Sequence, residues 1–143
     1  MKKYFYVVSK VLLTGITITP IFGALGIFPD PARDMYTSDQ AFNFISTLME
    51  VGYIMSIMAF CFAATIILLW TRREAAAALL LLPFTVNIVA FHLFLDGGLL
   101  TAGAIMGNVL LLLNMYFLWQ ERSTYVQLLT VRSEKQIQKK PVS

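Results

Sequence analysis

Four apolar stretches, each long enough to cross a bilayer, constrain this chain more than anything else in it. They cover about residues 4–28, 42–70, 75–95 and 99–119 of 143. A helix rises ~1.5 Å per residue, so about 20 residues cover ~30 Å of hydrocarbon. Strands of a membrane barrel would instead alternate apolar and polar positions over about ten residues. Residues 75–82 and 109–113 show no such alternation. Lipid offers the backbone no hydrogen-bond partners, and such runs therefore read as helices. Composition agrees: 58% of residues are apolar and 13% charged, against roughly 45–50% and 25% in soluble domains. The expected fold is all-α, an integral-membrane four-helix bundle forming a single domain over residues 1–143.

The breaks between stretches are local. Pro29, Asp30 and Pro31 end the first; Thr71, Arg72, Arg73 and Glu74 separate the second from the third; Asp96, Gly97 and Gly98 follow the third. Short connections make neighbouring helices antiparallel. Only the 29–41 connection is long, with room for an extra short segment. Pro20 removes one backbone bond from the first span and bends it.

Lysine and arginine placement sets orientation. Ten of the eleven, namely Lys2, Lys3, Lys10, Arg72, Arg73, Arg122, Arg132, Lys135, Lys139 and Lys140, fall on one side; Arg33 alone is on the other. Both termini are therefore expected in the cytoplasm, with a solvated basic tail over about 130–143. Trp70, Trp119, Tyr4 and Tyr116 lie near the cytoplasmic boundaries, as an aromatic belt requires. The first apolar run exceeds the 7–15 residues usual for a leader and shows no A-x-A site, so a retained span is expected. One cysteine, Cys61, supplies neither a disulfide nor a C-x-x-C pair. No metal-ligand spacing is present, one histidine cannot make a bis-His haem, and the tail lacks the pattern of a nucleic-acid binder.

Polar groups inside the spans are costly and usually face protein or a cavity. Residues 83–98 read P-F-T-V-N-I-V-A-F-H-L-F-L-D-G-G and contain the only histidine, His92. Counting from the cytoplasmic ends puts His92 about 27 Å up and Glu50 about 31 Å up, both near the outer rim, with Asp96 beside them. Asn87 and Asn108 fall deeper, at about 20 and 18 Å, where an amide pair between spans three and four is geometrically possible. Asn114 lies lower, about 9 Å up, and is expected to face Thr14 or Lys10 of the first span. The candidate polar site is thus Asn87, His92, Asp96, Glu50 and Asn108; a structural reading, in which these are interhelical bonds, competes with a functional one. Gly103 and Gly107 form G-x-x-x-G, which permits close helix approach inside the bundle or in a dimer.

The N-x-x-x-x-H-x-x-x-D spacing of residues 83–96, the V-G-Y-I-M of 51–55, the N-M-Y-F-L-W of 114–119 and the Y-V-Q-L-L of 125–129 resemble the DoxX family. Its members are small four-helix bacterial membrane proteins. The family takes its name from a subunit of a thiosulfate:quinone oxidoreductase, and most members have no assigned reaction. The resemblance implies the inner membrane of a bacterium. Relatives often carry an acid in the middle of span two, where this chain has Ala59, Phe60, Cys61 and Phe62. Glu50 lies too near the surface to replace it, which lowers the expectation of enzymatic activity and leaves a role accessory to a membrane oxidoreductase open.

Three functions compete. An accessory, non-catalytic subunit would dock onto a membrane complex or a second copy. A redox accessory would bind a quinone, using His92 and Asn87 beside Phe91 and Phe94. A small oligomeric transporter would use a Glu50–His92–Asp96 mouth.

Overall fold

A computed structural model describes residues 2–137 of the chain. Among them there is no strand. Six helices follow in order: α1 Lys2–Ala24, α2 Asp39–Val51, α3 Tyr53–Trp70, α4 Glu74–Phe94, α5 Ala102–Gln120 and α6 Arg122–Ile137, with a 3-10 turn at Arg33–Met35. Four of them, α1, α3, α4 and α5, are long and apolar enough to cross a membrane. They pack in a ring: α1 touches α3 and α5, and α4 touches the same two.

Their surface is the reverse of a soluble protein's. Phe60, Leu112 and Ile67 are 75%, 69% and 63% exposed, whereas Ser9, Thr17, Thr65, Thr85 and Asn114 are buried. A helix that is apolar all round belongs in lipid, and small polar residues between such helices allow close packing. Three of the buried hydroxyls are satisfied within their own helices. Ser9 donates to the Phe5 carbonyl, Thr17 to Leu13 and Thr65 to Cys61, at 2.8–2.9 Å. Phe62, Leu81, Leu110 and Phe117 fill the space between them.

The second apolar stretch is not one helix. It breaks at Gly52, whose φ of 71° lies in the left-handed region that glycine enters without strain. The span therefore begins at Tyr53 rather than near residue 42, and α2 is a separate helix. Local patterning could not show this, because the residues flanking Gly52 are apolar. The long connection does hold an extra segment, the 3-10 turn. The expected tail from about residue 130 begins within α6; residues 138–143 lie outside the described residues.

At the other end, Lys10 of α1 forms an ion pair with Glu74 at 2.5 Å, both side chains being 12% exposed. Glu74 also opens α4, where a negative charge complements the helix dipole. Trp70 donates its indole N–H to Thr14 at 3.0 Å. Lys10 and Thr14 are therefore engaged by Glu74 and Trp70, and Asn114 turns to α4 instead. There it meets the turn before Pro83, which has no N–H to give. With its nitrogen donating to the Ala78 carbonyl at 3.0 Å, its oxygen accepts from Leu82 N–H at 3.2 Å and the Thr85 hydroxyl at 3.1 Å.

Gly52→Ala forces a β-carbon into the left-handed region at a cost of about 1–2 kcal/mol. Denaturant unfolding in detergent micelles should show a loss of that size.

Candidate functional site

The site is assembled where α4 ends. Asp96 follows the helix by two residues, and the chain turns back through Gly97 and Gly98, both at positive φ. The Gly98 N–H closes onto the carbonyl of His92 at 2.8 Å, a capping bond of the kind that ends helices at glycine. This holds His92 and Asp96 in one rigid turn. His92 Nδ1 lies 2.9 Å from Asp96 Oδ2.

The other carboxylate oxygen belongs to a distant segment. Asp96 Oδ1 accepts from the Thr37 backbone N–H at 2.9 Å and from the Thr37 hydroxyl at 3.0 Å. Next in sequence, the Ser38 hydroxyl donates to the Leu95 carbonyl at 2.5 Å and accepts from the Ala41 N–H, capping α2. Gly97 makes this docking possible, since a β-carbon there would sit 2.6 Å from Thr37 Oγ1. The Asp96 residue is only 3% exposed. Burial pushes its carboxyl up, but the Thr37 donors and His92 outweigh that and hold it below the ordinary range.

The G-x-x-x-G of α5 lies against the same imidazole. A β-carbon at Gly103 would approach His92 Cε1 to 2.9 Å, and one at Gly107 would approach Ile88 Cγ2 to 2.8 Å and His92 Cδ2 to 3.7 Å. The two glycines form the notch that admits the ring between α4 and α5. The motif thus mediates packing within this chain.

Beside the ring opens a cleft of about 430 Å³. Its walls are Pro20 of α1, Met35 and Tyr36 of the connection, Phe44, Ile45 and Leu48 of α2, Met55 and Met58 of α3, and Asn87, Ile88 and Phe91 of α4. His92, Asp96 and Gly103 complete it. Aromatic rings line one side: Phe44 stacks on Phe91 with centroids 5.7 Å apart, and Tyr36 meets Phe91 edge-on at 6.5 Å. Burial, then the nearby Asp96 charge, raises the Tyr36 phenol, which stays protonated at neutral pH. The volume and composition are those of a small-molecule site, apolar with a few convergent polar groups.

The expected site is only partly brought together. His92 and Asp96 form one unit, and Asn87 shares their cleft. Asn108 does not pair with Asn87. It donates to the Leu99 carbonyl at 2.7 Å, tying down the turn before α5. Glu50 sits exposed on α2, in a separate hollow with Asp30, Pro31, Ser46 and Met49. The break at Gly52 is the reason, for depth counted along a straight 42–70 helix does not apply to it. Tyr36, Thr37 and Ser38 adjoin the His92–Asp96 pair and were missed by sequence reasoning, because no local pattern links them to residues 95–96. Among the described residues no group of three or more His, Cys, Asp or Glu could hold a metal ion.

No family model, curated protein or solved structure matches the chain.

Two outcomes follow from this geometry. Gly103→Ala drives a methyl into the imidazole, which must shift; overpacking of this kind costs about 1–3 kcal/mol, measurable as lowered thermal stability. Asp96 has a folded pKa below its unfolded value near ~3.9, so its stabilisation is complete above that value and lost as pH falls through the folded one. Hydrogen exchange at the Thr37 amide should therefore stay protected at pH 5 to 8 and rise only in stronger acid. Asp96→Ala should remove that protection at every pH.

Proposed function

We propose that this chain is a multi-pass protein of a bacterial inner membrane, a DoxX-like four-helix bundle with both termini in the cytoplasm. Its role is to bind a lipophilic ring of the quinone class, as an accessory to redox chemistry rather than as an enzyme. The observation that carries the reading is the cleft. It is apolar and aromatic, about 430 Å³ in volume, and has the His92–Asp96 pair and Asn87 in its wall. Such a site suits a flat ring with polar substituents at its edge. The four apolar helices and the cation asymmetry support the membrane placement and orientation.

The alternatives have less support. The Gly103–Gly107 motif that favoured docking onto another helix is occupied by His92 and Ile88. A transport mouth of Glu50, His92 and Asp96 lacks Glu50.

The test is equilibrium binding to the purified chain in lipid nanodiscs, using short-chain alkyl quinones in both redox forms. At least one form should bind saturably. Met55→Trp, which fills the cleft from α3, should weaken that binding at least tenfold without unfolding the protein. Unchanged affinity in Met55→Trp would place the ligand elsewhere and sink the proposal.

A further inference from the structure

We infer that the cleft is built to accept a hydrogen bond from its ligand, and so takes a hydroxyl-bearing ring, the hydroquinone rather than the quinone. This rests on the cleft being a quinone-class site and adds which redox form it holds.

The argument starts from Thr37. Its N–H and its hydroxyl both point at Asp96 Oδ1. That leaves Oδ2 for His92 Nδ1, 2.9 Å away. A carboxylate only accepts, so the proton between them is on Nδ1. In neutral imidazole the other nitrogen is then bare. Nε2 has no hydrogen-bond partner among the described residues, and no buried side-chain nitrogen or oxygen there is left unpaired, which means Nε2 opens to space. His92 itself lines the cleft, as does Gly103, where an added β-carbon would come 2.9 Å from Cε1, the ring carbon bonded to Nε2.

A ligand hydroxyl placed there donates to Nε2. A quinone carbonyl placed there sets lone pair against lone pair. A site built around one hydrogen-bond polarity discriminates strongly against the form that lacks it. Asn87, with donors and an acceptor in one amide, serves either form and gives no preference.

The same geometry dictates what Asp96→Asn does. Thr37 still offers two donors to the Oδ1 position, so the amide oxygen stays there. The amide nitrogen must then face His92 Nδ1 and donate to it. The imidazole proton moves to Nε2, and the cleft presents a donor in place of an acceptor.

The experiment uses the full chain in nanodiscs and a matched pair, a short-chain alkyl hydroquinone held anaerobically and its quinone. The native protein should bind the hydroquinone at least tenfold more tightly. Asp96→Asn should reverse the order. Because the chain has one histidine, nitrogen-15 labelling of histidine reports its tautomer directly, whether or not any variant folds. The expected signal is a protonated Nδ1 and a bare Nε2. Equal binding of the two forms, a preference for the quinone, or an Nε2–H tautomer in the native protein would each overturn the inference while leaving the cleft a binding site. Binding of neither form would overturn the proposed function itself, and this assignment with it.

Discussion

Both oxygens of Asp96 are engaged, and by different parts of the chain. One takes the Thr37 donors from the connection that follows α1. The other faces His92 on α4. The carboxylate therefore joins the loop that leads into α2 to the helix that carries the imidazole. It fixes this part of the rim, because Tyr36 and the start of α2 lie next to the attachment. Ser38 reinforces the join while capping α2. A nearly buried carboxylate is costly unless its lone pairs are satisfied, and here every bond that satisfies it also positions a wall of the cleft.

The rest of the structure follows from having apolar solvent outside. Many large apolar side chains face outward, and serine, threonine and asparagine are buried among Phe62, Leu81, Leu110 and Phe117, where their hydrogen bonds are local or between helices. Asn114 shows the logic best. Proline removes a rung from α4, and the asparagine on α5 supplies polar contact to the adjoining turn. The Lys10–Glu74 pair does the equivalent work between α1 and the start of α4.

The features that depend on one stretch of sequence were legible in it. Span number, the charged turn at Arg72–Arg73 and the Asp96–Gly97–Gly98 stop are local signals, and counting residues placed His92 and Asp96 together. Counting gives height but not direction around a helix axis, which is why Asn108 and Asn114 found other partners than those expected. The Thr37–Asp96 contact joins residues 59 apart and leaves no trace in either neighbourhood. Gly103 and Gly107 were readable as a close-packing motif, but only the structure shows that a histidine ring fills the gap.

The corner at Gly52 also settles a matter of length. A straight helix over 42–70 would extend about 43 Å, well beyond ~30 Å of hydrocarbon. Hydrophobic mismatch of that size would demand a steep tilt or a locally thickened bilayer. By turning at Gly52, the chain leaves α3 with 18 residues, about 27 Å, close to the thickness it has to match. The surplus apolar residues become α2 and form a wall of the cleft, so the same glycine that sets the length of α3 also shapes the cleft beside it.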